Sequence, residues 1–375
     1  MRGSQPVWSV AAASAVALAL WGYPGVRAQA QAPTATSGPT APSAPVAPGA
    51  PSAIVDGPPI KWQFSVSGRA RPYTKGIEYI SKYVSDRSGG KFRIDIGYRG
   101  RFSPERENLE ALRVGAIEGA AMCIYAQPQR TPAATALDLP FLPIAGFEQT
   151  RAVQEAFFAQ PFAISELAHW NSRFLLAAVM PQHEVMGIGT PPLAIKDWKG
   201  KRVRALGNVA RGLEALGATP VEGSLGGIAN AMKAGTVDAV ALPFSYSHVG
   251  YAIPRAAKWF TENLSPGTIN CPFIVAIKAW DRLPAQYRQL IDEARPGAYA
   301  ATQEVYRQFD DQAREDFAKA GIVGVRYSAA DLAAIRDIAG KPYWDAWVKE
   351  MDAKGVPARQ LLDLIFATAA KKPPR

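Results

Sequence analysis

A strand–helix–strand pattern occurs twice in this chain, and the doubling limits the possible folds more than any other feature. In the first copy Lys61 to Val66 alternates as a strand. Ile77, Ile80, Tyr83 and Val84 then recur at helical spacing, Ser88-Gly-Gly90 stops that helix, and Phe92 to Gly97 alternates again. Pro104 opens a helix that ends at Gly115, and Ala116 to Tyr125 reads as an apolar strand buried on both faces. That order is the order of a parallel α/β sheet. The second copy begins with a strand from Arg173 to Met180, which Glu184 to Gly189 extends. A strand over Lys201–Leu206, helices over Val209–Leu216 and Gly226–Ala234, and a strand over Gly235–Leu242 follow. A last strand covers Thr268 to Lys278. The pattern is helical from there to Ala320, and Pro296-Gly297 is expected to kink or split it. The C-terminal third is helical too, with Trp344, Trp347 and Val348 on one apolar face. One large sheet would accommodate the doubled pattern. At 375 residues, two α/β lobes with a cleft between them accommodate it better.

The ends of the chain point to export. Met1-Arg2 precedes an apolar run from Val7 to Trp21, and small residues around Ala28 and Ala30 offer cleavage sites, so residues 1–30 read as a signal peptide. No cysteine stands near the cleavage point, so lipidation is not expected. Residues 31–58 are rich in Ala, Pro, Thr, Ser and Gly and read as a disordered spacer. Formal charge is +10, or about +8 without Arg2 and Arg27. The cations are scattered and carry no interleaved aromatic run. Nucleic acid is therefore not an expected partner, and a field favouring small anions is the milder inference. Cys123 and Cys271 share no metal-ligand spacing; in an exported protein they can form one disulfide, with two buried thiols as the alternative. His169, His183 and His248 share no ligand spacing either, so no metal or cofactor is expected.

Function concentrates in Ile195-Lys-Asp-Trp-Lys-Gly-Lys-Arg-Val-Arg-Ala-Leu-Gly-Asn208. Asp197 and Gly200 make a turn; the strand that follows puts Val203 on one side and Arg202 and Arg204 on the other. Arg204 stands at the strand's carboxyl end, just before a helix, where open α/β sheets place ligands. A guanidinium there is a two-pronged clamp for a carboxylate. A structural cap or surface ion pair is the alternative.

Several landmarks together resemble the substrate-binding proteins of tripartite ATP-independent periplasmic (TRAP) transporters. They are Ser88-Gly-Gly-Lys-Phe-Arg93, Glu110-Ala-Leu-Arg-Val-Gly-Ala-Ile-Glu118, Leu139-Pro-Phe-Leu142, Asp197-Trp-Lys-Gly-Lys-Arg-Val-Arg204, Ala231-Met-Lys-Ala-Gly-Thr-Val-Asp238 and Trp280-Asp-Arg-Leu-Pro284. They stand in family order between about 60 and 365. The resemblance implies a two-lobed periplasmic binding protein fold whose α/β domains are joined by hinge strands and long C-terminal helices. It implies a lobe of 60–183 with 268–295, and a second of 184–267 with 296–368. It further implies capture of a small organic acid by clamshell closure, delivery to small and large integral-membrane subunits, and Arg204 as the carboxylate clamp. Two positions depart from the pattern. Glu184 stands where sugar-acid binders carry a second arginine, and Leu242 where many carry an asparagine, which points away from sialic-acid-type ligands.

In the implied fold further residues reach the cleft. Arg69 and Arg71 follow the first strand and can meet a second carboxylate, with solvated loop charges as the alternative. Gln127 and Arg130 follow the third strand. Glu184 either accepts from a ligand hydroxyl or holds Arg204 in place. Asn208, Phe244, Tyr246 and His248 can form a ligand wall, and Leu225 and Leu242 make the cleft partly apolar, hinting at an aliphatic or aromatic acid. Trp198, Trp259 and Trp280 read as core or hinge packing. No GxSxG or HExxH motif and no GxGxxG loop is present, so catalysis is not expected. A receptor of the ATP-driven (ABC) type and a secreted α/β enzyme are the competing readings.

Overall fold

The computed structural model describes residues 53–371. The expected signal peptide (1–30) and residues 31–52 of the expected spacer lie outside them. The end of the spacer is anchored, contrary to expectation. The Val55 N–H donates to the Arg87 carbonyl (2.7 Å), Asp56 pairs with Lys91, and the Tyr287 hydroxyl donates to the Pro58 carbonyl (3.1 Å).

Eleven strands among the described residues form two sheets: β1 (Ile60–Ser65), β2 (Phe92–Gly97), β3 (Gly119–Ala121), β4 (Ser172–Leu176), β5 (His183–Gly187), β6 (Arg202–Arg204), β7 (Thr219–Val221), β8 (Ala239–Pro243), β9 (Trp259–Thr261), β10 (Phe273–Ala276) and β11 (Val323–Val325). The first sheet has the order β2-β1-β3-β10-β4, the second β11-β9-β5-β8-β6-β7. The fold is two-lobed α/β, as expected, but neither sheet is wholly parallel. β10 runs antiparallel to β3 and β4, and β5 antiparallel to β8 and β9, because each lobe borrows a strand from a chain segment returning from the other lobe.

Local chemistry sets the elements. The helix Lys75–Arg87 buries Ile77, Ile80 and Val84, and the helix Asn108–Val114 stops where Gly115 takes φ +77°. Of the strand expected over Ala116–Tyr125 only Gly119–Ala121 is regular; Ile124–Ala126 closes into a 3₁₀ turn. Likewise only Phe273–Ala276 of Thr268–Lys278 is strand, and Ile277–Arg282 is helix.

The expected extension of β4 into β5 does not occur. Residues 177–182 carry the chain out of the first sheet into the second, and residues 262–272 carry it back. The two crossovers are tied together: the His183 N–H donates to the Gly267 carbonyl (2.8 Å), and the Thr268 hydroxyl to the Pro181 carbonyl (2.8 Å). The helix Ala285–Lys319 makes the third connection. Pro296 neither splits it nor ends it. A proline in a helix interior costs about 3 kcal/mol. Close packing against the helix Lys75–Arg87 offsets that cost here, since Gly297 lies under the Tyr79 ring and Gly76 against Thr302 and Ala298.

The cores follow the sheets. Phe64, Phe92, Phe273 and Tyr287 anchor a large first-lobe cluster, to which the C-terminal helices contribute Trp347, Leu362 and Ile365. The second sheet is covered on both faces. Val203, Ala239, Trp198 and Trp259 lie on one, with Phe141 inserted from the Leu139–Leu142 turn; Met186, Val240, Leu242 and Phe260 lie on the other. The three tryptophans read as core are buried.

Cys123 and Cys271 are disulfide-bonded across the β3–β10 side of the first sheet, where the Met122 N–H donates to the Pro272 carbonyl (2.9 Å) and the Ile124 N–H to the Asn270 carbonyl (3.0 Å). The bond spans 148 residues of sequence. Closing so long a loop restricts the unfolded chain, so replacing both cysteines by serine is expected to lower unfolding free energy by about 2–5 kcal/mol. Urea unfolding of the oxidised protein and the double variant checks this; coincident midpoints would show that the cross-link adds nothing.

Candidate carboxylate-binding site

The site begins with the turn that launches β6. Asp197 accepts from the Ala194 N–H (2.9 Å), and the Gly200 N–H donates to the Gly217 carbonyl (2.8 Å). β6 then runs parallel between β7 and β8, placing Arg204 opposite Val221 and Val240. Val203 is fully buried on the other face.

The two arginines of β6 have opposite fates. Arg202 forms a two-pronged pair with Asp238 (Nε–Oδ2 3.0 Å, Nη2–Oδ1 2.6 Å), and its Nη2 also reaches the Gly235 carbonyl (2.6 Å). Arg204 is 6% exposed, and its only hydrogen bond among the described residues runs from Nε to the Gly223 carbonyl (3.3 Å). Among them it forms no ion pair. Burial draws its pKa down, with the Tyr251 phenol opposing. A guanidinium keeps its charge under such pressure. Arg204 is thus a buried cation with its Nη groups uncommitted, which is the state of a preorganised anion receptor.

His183 lies within its field, and His248 within that of His183. His183 Nδ1 is 3.1 Å from the Gly267 carbonyl, and burial, then His248, pulls the His183 pKa down to about 3. His248 is fully buried, neither ring nitrogen has a well-formed hydrogen bond among the described residues, and burial lowers its pKa to about 4 against the backbone of Val240 and Glu184. Both rings are neutral at pH 7.

Glu184 does not hold Arg204. Its carboxylate accepts from the Thr261 hydroxyl, the Leu264 and Ser265 N–H groups (3.1 Å each) and the Ser265 hydroxyl (3.3 Å). Burial raises its pKa to about 7 against those bonds. It fastens the return crossover. Asn208 donates across the lobes to the Asp138 carbonyl (2.9 Å), and Gln127 donates to the Glu105 carbonyl (3.2 Å) while accepting from Arg130 (3.3 Å). These side chains are held by protein partners. Phe244 stacks on Phe260 (5.6 Å) beneath Arg314 (5.1 Å), and Leu225 and Leu242 pack in the same apolar cluster. Arg69 is exposed. Arg71 is half-buried, donates to the Ser67 carbonyl (3.2 Å) and lies 5.4 Å over Tyr73.

Of the residues singled out from sequence, the structure brings Arg204 and His248, the latter on the 244–251 loop, together around His183, which was not among the expected site residues. Sequence reasoning missed Tyr73, Tyr251, Tyr306 and Asp310. Asp310 accepts from the Ser245 N–H (3.1 Å) and hydroxyl (2.7 Å), pinning that loop to the long helix. The one available signal was the spacing of Tyr306, Asp310 and Phe317 along a single helix face.

Two α/β lobes joined by paired crossovers, with an uncommitted guanidinium at a strand end, define the class of two-lobed periplasmic binding proteins. The chain belongs to the bacterial extracellular solute-binding protein family 7, whose model matches residues 65–350. It is similar to a solute-binding protein of Verminephrobacter eiseniae, 25% identical over 59% of this chain and 66% of that one, just under two thirds of the relative's length. It also resembles two solved structures. One is a TRAP periplasmic solute-binding protein from Ochrobactrum anthropi (22% identity, 82% of this chain, 94% of that one, TM-score 0.71). The other is a marine-metagenome TRAP solute-binding protein described as specific for aromatic acids (21% identity, 83% and 98%, TM-score 0.68).

The buried histidines predict a pH dependence. A histidine whose folded pKa is lowered supports stability above its unfolded value, near 6.5, and that support is lost as pH falls toward the folded value. The raised pKa values of Asp138, Glu166 and Glu184, each about 7, act oppositely over part of this window. The informative quantity is therefore a difference between variants. His248→Phe is expected to lose less Tm than the native protein between pH 6.5 and 4. Parallel melting curves would show His248 to be irrelevant.

Proposed function

We propose that the chain is a periplasmic receptor that captures a small organic acid and hands it to the small and large membrane subunits of a TRAP transporter. The observation that carries this reading is Arg204, a buried strand-end guanidinium without an acidic partner among the described residues. A carboxylate docked there gains two charge-assisted bonds in a water-poor setting, each contributing about 1.5–3 kcal/mol. The lobes divide as 60–183 with 268–295 and 184–267 with 296–368, the last segment including the C-terminal helices, which pack on the first-lobe core, and closure about the crossovers brings both lobes onto the ligand. Binding without turnover fits the family, and a disulfide fits an oxidising compartment. The aromatic-acid specificity described for the metagenome protein supports an acid as ligand. The apolar surroundings at Leu225 and Phe244 favour a partly apolar acid.

Thermal-shift screening of monocarboxylates and dicarboxylates followed by calorimetry tests the assignment. Arg204→Ala is expected to weaken binding at least about tenfold, or 1.4 kcal/mol, and Arg204→Lys to restore only part of it because the fork geometry is lost. Unchanged affinity in Arg204→Ala would remove the clamp. Product in the recovered ligand would replace the receptor with an enzyme.

A further inference from the structure

A second group of polar side chains converges between the lobes, away from β6. Two segments, the Pro72–Thr74 turn and the Tyr246–Gly250 helix, meet on the long helix Ala285–Lys319, which carries Tyr306 and Asp310. Tyr73, Tyr246 and Tyr306 are buried in one cluster, and the rings of Tyr246 and Tyr306 lie 5.7 Å apart. The Tyr306 hydroxyl is buried and has no hydrogen-bond partner among the described residues. A buried hydroxyl left unpaired is costly, and native proteins keep few of them.

Arg71 stands over this corner. Its guanidinium donates to the carbonyls of Ser67 and Arg69 and, among the described residues, forms no ion pair. The two acids of this corner are committed elsewhere: Glu105 accepts from the Ser67 hydroxyl (2.8 Å) and the Tyr125 hydroxyl (2.9 Å), and Asp310 from the Ser245 N–H and hydroxyl. Burial raises the phenol pKa values of Tyr73, Tyr125, Tyr246 and Tyr306, and the field of Arg71 opposes that rise in all four. One cation therefore reaches tyrosines from the first lobe, the second lobe and the connecting helix. The corner adjoins the first site along the chain, since the helix that carries Tyr246 also carries His248 and ends just before Tyr251.

We propose that Arg71, Tyr306 and Tyr246 form a second polar subsite, which takes an oxygen function (a hydroxyl, keto or carboxylate oxygen) at the end of the acid remote from Arg204. This rests on the reading of the chain as a carboxylate receptor. Arg71 and the Tyr306 hydroxyl donate to that oxygen, and the Tyr246 ring walls it from solvent. Asp310, by pinning Ser245, positions Tyr246 without touching the ligand. A ligand that ends in hydrocarbon would leave the Tyr306 hydroxyl and the Arg71 guanidinium unpaired, and sites built this way reject such analogues.

Calorimetry with matched acids tests the proposal: phenylacetate against 3- and 4-hydroxyphenylacetate, and hexanoate against 6-hydroxyhexanoate and adipate. In the native protein the oxygen-bearing member of at least one set is expected to bind about tenfold more tightly, the worth of one well-placed hydrogen bond. That ratio is expected to collapse in Tyr306→Phe and in Arg71→Gln. Arg204→Ala should weaken both members together and leave the ratio in place. The ratio is a readout that a merely structural role would not move, and an unchanged Tm in Tyr306→Phe excludes a folding defect. If acids bind through Arg204 but show no oxygen preference, or keep it in both variants, the subsite is overturned while the receptor reading stands. If none of the acids binds, or Arg204→Ala changes nothing, the receptor reading fails and the subsite with it.

Discussion

The hydrogen bonds between the two crossovers are the constraint on which the rest of this structure depends. His183 and Gly267 join them near the second sheet, Thr268 and Pro181 near the first. β5 begins at one crossover and β8 lies beside β5, so the placement of β6 and Arg204 relative to the first lobe is set there. Glu184 reinforces the arrangement from inside. A buried carboxylate is expensive unless its lone pairs are used. Here four donors from residues 261–265 use them, fixing the return crossover where it leaves β9.

Arginines in this protein do three different things, and the difference lies in their neighbours. Arg202 meets Asp238 in a two-pronged pair and is satisfied. Arg173 lies flat against Trp280, 4.1 Å from the ring centroid, as a weakly hydrated guanidinium can. Arg204 is buried beside neutral histidines and tyrosines, so its charge has nothing of opposite sign to meet among the described residues. A receptor site needs that unpaired state, because an internal carboxylate would compete with the ligand for the same donors.

Much of the architecture was legible. Helices with regular apolar spacing and glycine stops were read nearly to their ends, as at Lys75–Arg87 and Asn108–Val114. The doubled strand–helix–strand pattern and the family landmarks pointed to a two-lobed α/β fold, and the two sheets bear that out. Three-residue strands such as β9 and β11 were not legible, since two or three residues carry no period and their pairing comes from tertiary context. The run from Arg173 to Gly189 looked like one interrupted strand because both halves are apolar; only pairing partners reveal that they belong to different sheets. Pro296 misled because local propensity was outweighed by close packing along the helix. At the site, Arg204 stood out by its strand-end position. The employment of Glu184, Asn208 and Gln127 by distant backbone groups did not, because hydrogen bonds between residues far apart in sequence leave no periodic mark.

The first sheet also has a consequence for how the molecule comes into being. β10 sits between β3 and β4, yet it is made almost a hundred residues after β4, with the greater part of the second sheet in between. A chain that emerges from its amino end cannot complete its first sheet until most of the second has been made. Until then β3 and β4 present open edges, and Cys123 waits as a thiol for Cys271. Long-range pairing of this kind is slow to form and exposed while it waits. The strand that closes the first sheet is thus supplied only after five of the six strands of the second have been made.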